Sequence, residues 1–177
     1  SIENDAIFTT NNADVTIGGN FEIQNGATYT HGTNTTTING AGVGSLIFAN
    51  ISATQTFNNL TINKANSTDE VVINAGRPSP NAALQVNGTL TISNGIFDYA
   101  SFIASARGTV TLGSGRTIGK AASTGRLLLD GSLAQTLNSS SSSIHNVEIN
   151  NAVGITLATG NLTVLRTLTL TTGVFNI

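Results

Sequence analysis

Short apolar alternations that recur along the whole chain and are punctuated by glycine constrain its fold more than any other feature. Val15/Ile17, Leu46/Phe48, Leu60/Ile62, Leu90/Ile92, Val110/Leu112, Leu127/Leu129, Val147/Ile149, Leu162/Val164 and Leu168/Leu170 each set two apolar side chains two residues apart. That is the period of a strand with one buried face, and no window carries a helical stripe. SNG at 93–95, GSG at 113–115 and TTG at 171–173 separate the strands, and their glycines supply the positive backbone torsions that tight corners demand.

The alternations repeat as a set. TLTISNGIF at 89–97 recurs as TLTLTTGVF at 167–175, preceded by LQV at 84–86 and LTV at 162–164. Earlier, GSLIF at 44–48 matches GRLLL at 125–129, QTF at 55–57 matches QTL at 135–137, and LTI at 60–62 matches VEI at 147–149. These matches describe residues 1–177 as a single domain of about two and a quarter copies of a 76–87-residue unit. Three or four strands per turn fit coils of roughly 20 to 26 residues, the scale of solenoid repeats. The expected fold is therefore all-β, a right-handed parallel β-helix (β-solenoid) of about seven to eight coils. A β-sandwich would need tight Asn-Gly or Asp-Gly hairpins between equal strands, whereas these glycine corners join unequal ones.

Composition fits a repetitive aliphatic core with a polar, weakly charged exterior. Thr (27), Asn (22) and Ser (16) make up 65 of 177 residues, only 16 residues are charged, and Trp, Met and Cys are absent. A net charge of -2 offers no basic stripe for nucleic acid and no polybasic membrane patch. No apolar run approaches a membrane span, so membrane insertion is not expected. Lack of cysteine removes thiolate metal sites and disulfides together, and no cofactor is expected.

Two interruptions stand out. Residues 66–83 hold both prolines and the adjacent pair Asp69–Glu70, and read as a protruding loop around a short strand at Val71–Ile73. Ser139–Ser143 reads as a solvated corner.

FNNLTINKA at 57–65, the two TLT strands ending in G-x-F, and the GSLIF to QTF progression resemble the repetitive regions of large secreted surface proteins of Bacteroidetes, gliding-type adhesins among them. The resemblance covers almost the whole chain. It implies export by the type IX route, an extracellular or cell-surface location, and a non-catalytic structural or adhesive role in which β-rich repeats hold binding elements away from the cell. The expected partners are flanking repeats of the same polypeptide or further copies in axial self-association, with surface carbohydrate or ice as ligands.

Two alternatives are legible in the residues. Parallel β-helices also degrade polysaccharides, but hydrolysis needs converging carboxylates and elimination needs a positioned base. The nine carboxylates are scattered, and Asp69 and Glu70, if on one strand, point to opposite faces. His31, His145 and the cations, Lys64 included, read as surface or corner groups, so no catalytic residue is expected. The second alternative rests on T-x-T pairs: Thr28/Thr30, Thr35/Thr37, Thr89/Thr91, Thr109/Thr111 and Thr167/Thr169. With Leu90 and Ile92 inward, Thr89 and Thr91 share the outward face, and stacked pairs would form a regular array of the kind that binds ice. The N-x-S/T strings at Asn34, Asn59, Asn87 and Asn161 arise by chance in so Asn- and Thr-rich a chain, and Phe21, Phe97 and Phe175 read as core fillers.

Overall fold

The computed structural model describes residues 1–48, 54–75 and 83–177. Every regular element among them is a β-strand, and every strand pairing is parallel. The chain winds as a β-solenoid with three strands to a coil, one on each of three faces. On one face an eight-stranded sheet stacks Val15–Ile17, Thr35–Ile38, Asn59–Asn63, Leu90–Asn94, Val110–Leu112, Gln135–Asn138, Ile155–Thr159 and Phe175–Asn176 in chain order. The other two faces begin as separate rows. They merge into one eleven-stranded sheet because Ser142–Asn150, and Leu162–Thr172 paired beside it, run across the corner between them. A two-stranded pair, Ile7–Thr9 with Thr28–Thr30, lies in the first coils.

Burial follows the period of two. On the eight-stranded face, Leu60, Leu90 and Val110 occupy successive coils at one inward position, and Ile38, Ile62, Ile92 and Leu112 at the next, each at most 1% exposed. The joined sheet supplies the matching ladders Leu84, Ala104, Leu127, Val147 and Val86, Ala106, Leu129, Ile149. No coil encloses these side chains alone; neighbours stacked at about 4.8 Å do. The core changes in character toward the N-terminus, where Phe8, Phe21, Tyr29 and Phe57 meet with ring centroids 5.1–5.8 Å apart. There Thr36 points inward, and its hydroxyl shares a 2.8 Å hydrogen bond with the Tyr29 phenol.

Asparagine, so abundant in the sequence, holds the corners. Asn12, Asp14, Asn20 and Asn59 each accept a backbone N–H from the next coil, at Thr33, Thr35, Ser45 and Thr89. Inside, Gln135 donates to the Ala106 and Gly108 carbonyls while Asn151 donates to the Gln135 side chain, a buried amide bridge between coils. These bonds satisfy groups that the strand ladders leave unpaired where the chain turns.

The expected corner glycines Gly95, Gly115 and Gly173 have φ of 95°, 66° and 91°. At Gly173 a Cβ would collide with the Asn151 carbonyl one coil away, so the position requires both the torsion and the missing side chain. Several expectations are refined. Coils span 20 to 30 residues, since Leu90 pairs with Val110 but Leu60 pairs with Leu90. The segment expected as a loop around Val71–Ile73 contains a longer strand, Glu70–Ala75, and residues 76–82 lie outside the described residues. Ser139 and Ser142 are buried and donate across coils to the carbonyls of Asn161 and Gly113, so the serine run is in part a packed corner. Lys64 is only 2% exposed, its ammonium donating to the Asn39 carbonyl, where a solvated charge was expected.

The matched strings of the 76–87-residue unit do not fall on equivalent faces. Leu90 lies in the eight-stranded sheet and its counterpart Leu168 in the joined sheet; Gln55–Phe57 lies in the joined sheet and Gln135–Leu137 in the eight-stranded one. The structural repeat is the single coil.

Candidate functional site

On the eight-stranded face the residues between the buried ladders point outward, and they are nearly all threonine. Thr16 is the register partner of Thr37, Thr37 of Thr61, Thr61 of Thr91 and Thr91 of Thr111, one per coil over five successive coils; Asn138 is next. A second rank runs beside it, two residues earlier in each strand. Thr35 pairs with Asn59; Thr89, Thr109 and Thr136 each sit one residue before a registered pair; Thr136 then pairs with Thr156 and Thr156 with Asn176. The register fixes both repeats: about 4.8 Å between coils and about 7 Å between the ranks, twice the rise per strand residue.

The chemistry of the array is uniform. Each threonine presents a methyl and a hydroxyl, and its β-branch restricts the side chain to few rotamers. From Thr35 onward neither rank contains a charged residue; Asp14, two residues before Thr16 in the first coil, is the exception. Among the described residues the hydroxyls of Thr37, Thr61 and Thr91 make no hydrogen bond to protein, whereas Asn138 donates to Thr111 and accepts from Thr159, both at 3.4 Å.

Of the threonine pairs singled out in the sequence, Thr35/Thr37, Thr89/Thr91 and Thr109/Thr111 come together on this face. Thr28/Thr30 lie instead on the two-stranded pair near the N-terminus, and Thr167/Thr169 on the last strand of the joined sheet, opposite Asn146 and Glu148. The T-x-T pattern does not capture Thr16, Thr61, Thr136 and Thr156. A threonine between two apolar residues marks Thr16, Thr61 and Thr156, as in VTI at 15–17, LTI at 60–62 and ITL at 155–157, but it misses Thr136, which follows Gln135, and it also occurs in LTV at 162–164 and LTL at 168–170 on the joined sheet.

A second polar cluster lies at the corner of the joined sheet. The buried Tyr99 phenol accepts from the Asn146 N–H at 2.7 Å, and burial raises its pKa above the usual value. Asp98 accepts from Ser123 Oγ and the Ala100 N–H; Arg166 donates to the carbonyls of Ala121 and Ser123. A shallow groove of about 300 Å³ runs past Gly125, Arg126, Asn146, Arg166 and Thr167. Three further carboxylates on or beside this sheet are engaged in the same structural manner: Glu70 with Lys120, Asp130 with Arg107, Glu148 with Arg126. His145 Nδ1 is buried without a partner among the described residues, and burial, with Arg166 nearby, lowers its pKa. His31 Nδ1 bonds the neighbouring Gly32 carbonyl at 2.7 Å. Among the described residues no group of three or more His, Cys, Asp or Glu is placed to hold a metal ion. Asn34 is buried, so its N-x-T string is not open to modification.

The axial ends are apolar. Ile2, Ala6, Ile7, Phe8, Val15 and Ile17 border a hollow at the first coil, and Leu157, Leu162, Val164, Leu168, Phe175 and Ile177 border one at the last. No helix is long and apolar enough to cross a membrane among the described residues. A scan against protein-family models and searches of curated proteins and of solved structures found no match to the chain.

Proposed function

We propose that this chain is a structural or adhesive repeat module of a large secreted or cell-surface protein, a non-catalytic rod that spaces other elements. The observation that carries this reading is the uninterrupted stack, in which aliphatic ladders run coil upon coil and each coil packs only on its neighbours. Such a body lengthens by adding coils without altering its core, which suits a spacer. The exposed apolar rows at the two axial ends support the same reading, because further coils, of the same polypeptide or of a second copy, are the partners whose inward residues match them. The resemblance of FNNLTINKA and the TLT strands to secreted surface repeats supports an extracellular or cell-surface location.

Small-angle scattering of the chain, and of two copies joined in coil register, tests the proposal. The expected result is a rod of constant cross-section whose length doubles in the tandem. A tandem that scatters as two beads on a flexible tether would sink it, as would turnover in a screen of polysaccharide hydrolase and lyase substrates.

A further inference from the structure

We infer that the threonine ranks of the eight-stranded face form an ice-binding surface, with Thr37, Thr61, Thr91 and Thr111 at its centre and Thr35, Thr89 and Thr109 beside them. This inference does not depend on the spacer reading. The strand preference of threonine accounts for its presence on a sheet, but not for its alignment in two ranks, nor for the exclusion of charge from both beyond Asp14 in the first coil. Thr and Asn alone fill these positions from the second coil to the eighth.

Those properties match what a crystal of water demands of a protein. Ice offers a two-dimensional lattice of donors and acceptors at fixed spacings, so the protein must offer points at matching spacings in both directions and hold them still. Backbone hydrogen bonding between coils fixes one repeat at about 4.8 Å, and the pleat fixes the other at about 7 Å, both near oxygen spacings on faces of ice. Threonine supplies a hydroxyl to anchor each lattice water and a methyl around which neighbouring waters order. A lysine or glutamate would keep its own hydration shell and break the lattice. Each contact is weak, and adhesion comes from many engaged at once on a rigid plane, where the loss of freedom has already been met in folding.

The decisive measurement is thermal hysteresis of the purified chain, with inhibition of ice recrystallisation and uptake of the labelled protein into a growing ice hemisphere. Wild type is expected to be active in all three. Thr61→Lys and Thr91→Lys, in the middle of the face, are expected to lose most of the hysteresis while keeping wild-type circular dichroism and melting. Thr169→Lys, on the joined sheet, is expected to retain it. Folded wild type without hysteresis or recrystallisation inhibition at millimolar concentration would overturn the inference. So would equal loss in Thr91→Lys and Thr169→Lys. Binding of crystalline cellulose or chitin through Thr61 and Thr91 without any ice activity would also overturn it and give the face to carbohydrate.

Discussion

The two large sheets are built from the same coils yet obey different rules. On the eight-stranded face each coil contributes one short strand, the outward residue is almost always threonine, and no ion pair touches the ranks. The joined sheet has strands of two to eleven residues and carries or flanks all three ion pairs seen among the described residues, along with the Tyr99–Asn146 corner. Variation in coil length is absorbed around the joined sheet. Between the registered residues Val110 and Leu137, for instance, the extra residues fall at 119–125 and 130–134, supplying Lys120, Ser123 and Asp130 to its bridges. One face is thus kept uniform while the others take up irregularity, a division that a surface read by a periodic partner would require.

The largest test of the comparison is one in which the faces should not differ. Leu90→Ala on the uniform face and Leu127→Ala on the joined sheet each remove a fully buried ladder residue flanked by a coil on either side. Both are expected to cost about 2–5 kcal/mol, read as the shift in denaturant midpoint. A much smaller loss for Leu90 would mean that the threonine-bearing sheet is a skin and not half of the core. Tyr99→Phe then separates the faces. It leaves the half-buried Asn146 N–H without its acceptor, at an expected cost of about 1–3 kcal/mol, and the hydroxyls of Thr37, Thr61 and Thr91 make no comparable bond among the described residues.

The alternation of apolar residues made the strands legible, because a period of two is a local property. Which face a strand occupies was not, because that depends on the summed length of the corners before it. Leu90 and Leu168 have near-identical surroundings in sequence and sit on different faces for this reason. Six of the ten threonines named in the array were legible for the same local cause: T-x-T marks a strand whose two outward residues are both threonine. Thr61 escaped because its rank neighbour is Asn59, and Thr16 because its neighbour is Asp14. The burial of Lys64 had no sequence signal, since the carbonyl that receives its ammonium, Asn39, belongs to the preceding coil, and Gly95 in the next gives its aliphatic stem room to pass.

Smaller effects sharpen the contrast. Glu148→Gln removes the partner of the half-exposed Arg126 on the joined sheet, and is expected to cost no more than about 1 kcal/mol, declining further in high salt. Thr61→Val on the uniform face keeps the branch and loses only a hydroxyl that bonds no protein group among the described residues, so stability is expected to change by less than about 0.5 kcal/mol. A clear destabilisation by Thr61→Val would mean that the rank holds the coils together through its hydroxyls, and would weaken the case for a surface shaped by an external lattice.

The smallest effect concerns pH. His145 lies where Ser142–Asn150 crosses the corner of the joined sheet, and burial, reinforced by the charge of Arg166, holds its folded-state pKa below the ordinary 6.5. As pH falls through 6.5 the unfolded chain takes up a proton that the folded chain refuses, so the unfolded state gains and stability declines. The decline continues until pH reaches the lowered folded-state value, below which both states are protonated and this contribution is flat. Above 6.5 the imidazole is neutral in both states and contributes no slope. Urea melts between pH 8 and pH 5 should therefore show a loss that begins near 6.5 and is absent in His145→Gln. The same melts on Thr91→Lys should keep the wild-type pH profile, because the uniform face holds no group that titrates in this range. If His145→Gln retains the slope, the titrating group lies elsewhere, and the buried corner is not the pH-sensitive element of the joined sheet.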